Sequence, residues 1–215
     1  MAASSSDSFK DLFEPTKVAS LISADDAPQF LQDHGFFYQE IPEIGKLVTD
    51  LYSTNRAKGK EATLDHFKPT LRADPRLRRI LDCYPETGRL QSPWGIVPKA
   101  YYSWNNPRPE VDSAVIAYML GPQSQCSCKD GSHRRKFRVE KVDEDGTRHL
   151  PDEYLEEYLE RSITMMEGGV LLVHPVLGHR TETGRSIILD AWTTQAARDQ
   201  LSVKNPTKHS ASIEK

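Results

Sequence analysis

Long hydrophobic runs are missing from this 215-residue chain: no segment approaches the roughly eighteen consecutive apolar residues that a membrane-spanning helix requires, which excludes that class. Cysteine is scarce too. The three present are Cys83 and the Cys126/Cys128 pair, and an odd count argues for reduced thiols in an intracellular compartment rather than a disulfide framework. Residues 1–8 are small and polar, without the apolar core of a secretory leader, so the expected location is cytoplasmic. No charge of one sign dominates. Twenty-eight basic against 31 acidic side chains leave 28 − 31 = −3, which provides no field to hold nucleic acid or an anionic membrane. The partner expected is a small molecule, with monomer and homodimer both open. Internal repeats and low-complexity linkers are absent as well, which leaves one domain over residues 8–203, flanked by polar tails at 1–7 and 204–215.

What is present begins with helical signals. Residues 23–35 carry Ser23 or Asp25 as N-cap, Pro28 in the first turn, Phe30 and Leu31 on one face and Gly35 past the end. Residues 43–55 and 74–83 repeat apolar side chains at three-to-four spacing, with Ile44, Leu47, Val48 and Leu51 and then Leu77, Ile80 and Leu81. Strand-like runs follow at 36–41, 90–97, 111–120, 170–174 and 186–192, and Gly184 separates the last two. Residues 121–150 read as a charged, exposed insert. Pro151 starts an expected helix striped by Tyr154, Leu155, Tyr158 and Leu159. Helices ahead of strands in this order predict a mainly β, α+β domain with helices packed on a β core.

Three blocks carry a resemblance: Phe30-Leu31-Gln32-Asp33-His34-Gly35-Phe36-Phe37; the run Val115 to Leu120 followed by Asp130-Gly131-Ser132-His133; and Gly168-Gly169-Val170-Leu171-Leu172-Val173-His174, His179 and Arg185. In this order they resemble the phytanoyl-CoA dioxygenase family of iron(II)/2-oxoglutarate oxygenases. The resemblance implies a double-stranded β-helix, jelly-roll and cupin-like, acting on a hydrophobic small molecule in specialised metabolism. It implies Fe(II) held by two imidazoles and a carboxylate, with an arginine on the distal carboxylate of 2-oxoglutarate. By position His179 is similar to the family's second histidine ligand, with His174 as competitor, and Arg185 to the 2-oxoglutarate anchor. The aromatic group Trp94, Tyr101, Tyr102 and Trp104 falls where the substrate pocket would lie.

The chain departs from that pattern at one place. Where the family has His-x-Asp or His-x-Glu, this sequence reads Ala100-Tyr101-Tyr102-Ser103-Trp104-Asn105-Asn106-Pro107. Glu110 or Asp112 could supply an oxygen ligand, and Asp65-His66 has the order reversed. A second expectation therefore stands beside the oxygenase: a metal-independent isomerase or cyclase in which His179, Arg185 and Tyr102 hold the substrate and move protons. A third is a non-catalytic small-molecule-binding protein. Cys126-Ser127-Cys128 with His133 lacks the second pair of a zinc site and reads as an exposed loop. The basic run His133, Arg134, Arg135, Lys136 and Arg138 is either a solvated face or an anion site, and His66 and His149 read as surface residues.

Overall fold

The computed structural model describes residues 12–57, 62–89, 100–104, 113–135 and 147–198. The helical signals at the front form helices, the first shorter than expected and starting after Asp26 rather than after Ser23 or Asp25, and one helix is added. Helix α1 spans Ala27–His34, and Gly35 ends it at φ 82°, returning its N–H to the Leu31 carbonyl. Strand β1, Phe36–Glu40, follows directly. Helix α2 is Pro42–Ser53 and α4 is Pro75–Asp82. The addition is α3, Leu64–Leu71, which buries Leu64, Phe67 and Leu71 although Pro69 lies inside it. The Asp74 carboxylate caps α4 by accepting from the N–H groups of Arg76 and Leu77. Asp74→Ala is expected to cost about 1 kcal/mol in a denaturant melt.

Among the described residues, ten strands make two antiparallel five-stranded sheets. The remaining nine are β2 Glu86–Arg89, β3 Tyr101–Trp104, β4 Ala114–Leu120, β5 Ser124–Lys129, β6 Thr147–Leu150, β7 Glu160–Met165, β8 Gly169–Val173, β9 His179–Thr183 and β10 Ser186–Trp192. The first sheet runs β1-β8-β4-β10-β2 and the second β6-β3-β9-β5-β7. Pairing is nested: β2 with β10, β3 with β9, β4 with β8, and β5 with β7. A long hairpin rolled up so that its strands alternate between two layers produces this pattern, and the result is a jelly-roll-like core.

Cross-strand partners share a face, so one contact orients both sheets. Tyr118 of β4 reaches His179 of β9 in the other sheet. Its face, which includes Ile116, Ile188, Leu171, Val173 and Phe36 by register, therefore lines the interior between the sheets. The opposite face of the first sheet is covered by helices. There Phe37 meets the edge of Phe30 at 6.1 Å and lies under the Arg76 guanidinium at 5.4 Å.

Two expectations are corrected. The insert at 121–150 is not an exposed loop throughout, because β5 and β6 belong to the second sheet. Ser124, Cys126 and Cys128 alternate inward there as small side chains, and a stretch without large apolar residues gives little strand signal. The helix after Pro151 is a single 3-10 turn, Asp152–Tyr154, followed by β7. Leu155 alone of that stripe is fully buried, against Tyr101 and Leu150, with Tyr158 partly buried and Leu159 exposed. The expected strand at 90–97 lies outside the described residues, and 111–120 forms from Ala114 onward.

Candidate functional site

The segment His174-Pro175-Val176-Leu177-Gly178 aims His179 inward. His174 donates its N–H to Gly35 O, Leu177 N–H returns to His174 O, and Gly178 N–H is held by Ser132 Oγ at 3.0 Å. The Asp130-Gly131-Ser132-His133 turn thus clamps the approach to β9. It also docks on the end of α1, where Gly131 N–H and His133 Nε2 bond the carbonyls of His34 and Gln32. His179 opens β9 opposite Tyr102 and Cys128.

Four polar groups meet there, and their donors and acceptors determine one another. His179 Nδ1 lies 2.9 Å from the Leu177 carbonyl, which can only accept, so Nδ1 carries the proton and Nε2 the lone pair. Tyr118 Oη lies 2.6 Å from Nε2 and therefore donates to it. Trp104 Nε1, a donor only, adds a bond to the same hydroxyl at 3.1 Å. The Tyr102 ring stands 4.5 Å from the imidazole, with its hydroxyl 3.3 Å from Thr181 Oγ1. Burial pushes His179 down to about 4, partly opposed by the bond to Leu177, so the imidazole is neutral at pH 7. Burial, then the neighbouring Tyr102 phenol, holds Tyr118 well above the usual tyrosine value.

The structure brings together His179, Tyr102 and Trp104 but not the rest of the expected set. Tyr101 points to the opposite face of the sheet, its ring packed under Arg180 at 4.7 Å and Lys129 at 5.0 Å. Arg185 lies on the helix-covered side, exposed, with its guanidinium 5.3 Å over Tyr52 of α2. It borders a cleft of about 440 Å³ together with Val48, Thr49, Gly121, Gln123 and Thr183. Glu182 pairs with Arg180 and accepts from Ser127. Trp94, Glu110 and Asp112 fall outside the described residues.

An iron site of the two-histidine, one-carboxylate kind does not fit the described residues. The lone pair that His179 would give a metal is the one taken by Tyr118. Among the described residues no three His, Cys, Asp or Glu side chains are grouped to hold an ion. Cys128, across from His179, and Cys126 beside it are neutral thiols: burial raises Cys126 to about 12 and holds Cys128 well above the usual thiol value. His174 is buried against His133, with ring centroids 5.0 Å apart. In the basic run, Arg134 pairs with Asp33 and Arg135 with Glu157. His66 is exposed on α3, whereas His149 is half-buried on β6 opposite Tyr102.

Sequence reasoning missed three interior side chains. Tyr118 is the one residue with a polar tip in the run 114–120, Thr181 sits two residues beyond His179, and Asp190 is the sole acid in 186–192. A polar group interrupting an apolar strand is the signal that could have found Tyr118 and Asp190.

No family model matches the chain, and no curated protein does. The phytanoyl-CoA dioxygenase resemblance therefore rests on the quoted motifs alone. Among solved structures, the chain is similar to the epimerase SnoN in complex with Fe3+, alpha ketoglutarate and nogalamycin RO (TM-score 0.45, 12% identity, 89% of this chain and 93% of that one). It is also similar to the non-heme alpha ketoglutarate dependent carbocyclase SnoK from nogalamycin biosynthesis (0.41, 14%, 83% and 85%), and to the non-heme monooxygenase ThoJ as its nickel complex (0.38, 10%, 78% and 77%).

Proposed function

We propose that this chain is an enzyme of specialised small-molecule metabolism on a double-stranded β-helix, and that it works by proton transfer through Tyr118 and His179 rather than by oxidation at iron. One observation carries the reading: the buried hydrogen-bond chain Trp104 to Tyr118 to His179 to the Leu177 carbonyl, in which every donor and acceptor is assigned. The arrangement suits an isomerisation or cyclisation of an apolar substrate. Tyr118 Oη takes a proton from the substrate as its own passes to His179 Nε2, and the same path reversed delivers a proton to the product. Charging an imidazole that titrates near 4 at pH 7 asks for three units, roughly 4 kcal/mol. That is compatible with an enzymatic barrier.

Tyr118→Phe preserves the ring and removes the relay. Turnover of an apolar substrate panel in D2O, followed by mass spectrometry, is expected to fall at least about a hundredfold in this variant, while loss of the buried hydroxyl partner of His179 lowers the melting temperature by only a few degrees and leaves the protein folded. Anaerobic Fe(II) titration with and without 2-oxoglutarate is expected to give no stoichiometric site. A one-to-one visible band requiring both components would replace the relay with the oxygenase reading, and activity intact in Tyr118→Phe would remove the relay outright.

A further inference from the structure

We infer that the cleft beside Arg185 is a binding site separate from the interior, and that it takes an organic carboxylate with an apolar body. The cleft encloses about 440 Å³, a volume usual for small-ligand sites. Three segments converge on it: Val48 and Thr49 of α2, the β4–β5 turn around Gln123, and the β9–β10 turn that ends at Arg185. Arg185 stands on the helix-covered side of the first sheet, whereas Tyr118 and His179 meet between the sheets. The site is therefore independent of the relay.

Arg185 is held in place without spending its hydrogen bonds. Its carbonyl accepts from Gly121 N–H at 2.8 Å, and its guanidinium lies 5.3 Å over the Tyr52 ring, itself tied by its hydroxyl to the Ser186 carbonyl at 2.8 Å. Contact through the face of a guanidinium uses none of its five N–H donors, so the planar fork remains for a ligand. Nearby acids are committed elsewhere, Glu182 to Arg180 and Ser127, and Asp50 to Arg56. Gln123 brings a second donor in its side-chain amide. Its backbone is fixed at φ 59° by N–H to the Met166 carbonyl and by Thr183 Oγ1 on its own carbonyl. The same bonds decide the class of anion. The β4–β5 turn has no amide left to cradle a phosphate, because Gly121 and Gln123 N–H are both used and Pro122 has none. One guanidinium balances one negative charge and matches a carboxylate bidentately. Val48 and Pro122 give the remaining wall an apolar character, and the exposed Met166 side chain adjoins the same turn.

Calorimetric titration of the full chain with 1-naphthoate, 1-naphthylmethanol and inorganic phosphate tests the assignment. The naphthoate is expected to bind on the order of tenfold tighter than the alcohol, which has the same rings and no charge, and phosphate to bind weakest. Arg185 is exposed, so Arg185→Gln keeps the fold. That variant is expected to bring the naphthoate down to the alcohol while leaving the alcohol within about twofold. Equal binding of naphthoate and alcohol by the native chain overturns the assignment, as does a naphthoate preference that survives in Arg185→Gln. Phosphate binding tighter than naphthoate overturns the carboxylate class, and no saturable naphthoate binding below about 10 mM removes the site. In Tyr118→Phe the naphthoate affinity is expected to be unchanged, and a tenfold loss there would put the ligand in the interior and sink the cleft. Unchanged naphthoate binding together with full turnover in Tyr118→Phe leaves this site standing and removes only the relay.

Discussion

Acidification from pH 6.5 to 4 is expected to destabilise this protein by about 3 kcal/mol through His179 alone. In the unfolded chain the imidazole takes a proton near its ordinary value of 6.5, whereas in the folded interior burial holds it neutral down to about 4. Between those values the unfolded state binds more protons, so stability falls as pH falls. Above 6.5 the contribution is fully present. The group is completely buried, so no solvent screening reduces it. Against a typical total of 5–15 kcal/mol, such a term sets the acid limb of the stability curve. Glu160 titrates in another window: burial raises it, but the neighbouring Tyr101 hydroxyl and the Arg180 and Lys129 charges win and lower it below the usual carboxylate value. Urea melts at pH 7, 5.5 and 4.5 are therefore expected to show a steep decline in the native chain. His179→Gln should be less stable at pH 7 yet much flatter in pH, and a native-like slope in that variant would place the titration elsewhere.

Gly45→Ala is expected to be among the most disruptive single methyl additions in the chain. Gly45 lies inside α2, where alanine ordinarily favours the helix by about 1 kcal/mol. Here the added Cβ would stand 1.9 Å from the Glu167 carbonyl oxygen and 3.2 Å from Gly168 Cα. Both are backbone atoms of the β7–β8 turn, and that turn is anchored by Ile41 N–H on the Gly168 carbonyl and by Glu167 N–H on Glu40. Relief requires moving α2 off the sheet, which also loosens Ile44, Val48 and Leu51. Overpacking against an unyielding neighbour costs at least about 3 kcal/mol, so the propensity gain is overridden. For a domain of this size that lowers Tm by roughly 10 °C. Calorimetry would show it, and an unchanged or higher Tm would mean that α2 does not pack as closely as the structure has it.

These two glycine and histidine cases separate what local pattern can convey from what it cannot. Helices α1, α2 and α4 were legible because their signals are local: Pro near the start, Gly35 at the end, and apolar side chains every three to four residues. Strands β4, β8 and β10 were legible as apolar runs long enough to be buried on both faces. Strands β5 and β7 were not. Their inward positions include Ser124, Cys126 and Cys128, and their stability comes from pairing with β9 and with each other, which no window of a few residues contains. The stripe at 154–159 showed a helical period, but with only Leu155 fully buried against a neighbouring sheet the helix had no face to gain from.

The site divides the same way. The sequence alone conveyed a mainly β chain with helices ahead of its strands, no run long and apolar enough to span a membrane, and tyrosine and tryptophan clustered near 101–104, while His179 read as part of a loop between two strands. These follow from residue type and spacing. Only the tertiary structure decided which of them act together. Tyr118 and His179 are 61 residues apart and meet because β4 and β9 lie in facing layers. Tyr101 and Tyr102 are adjacent and part company because successive side chains of a strand point to opposite faces. Arg185, only six residues past His179, ends on α2 because the turn at Gly184, with φ at 93°, starts β10 in the register that puts odd-numbered side chains under the helices. Sequence specifies the chemical groups, whereas register and layer stacking select their partners, since those depend on contacts between segments distant in the chain.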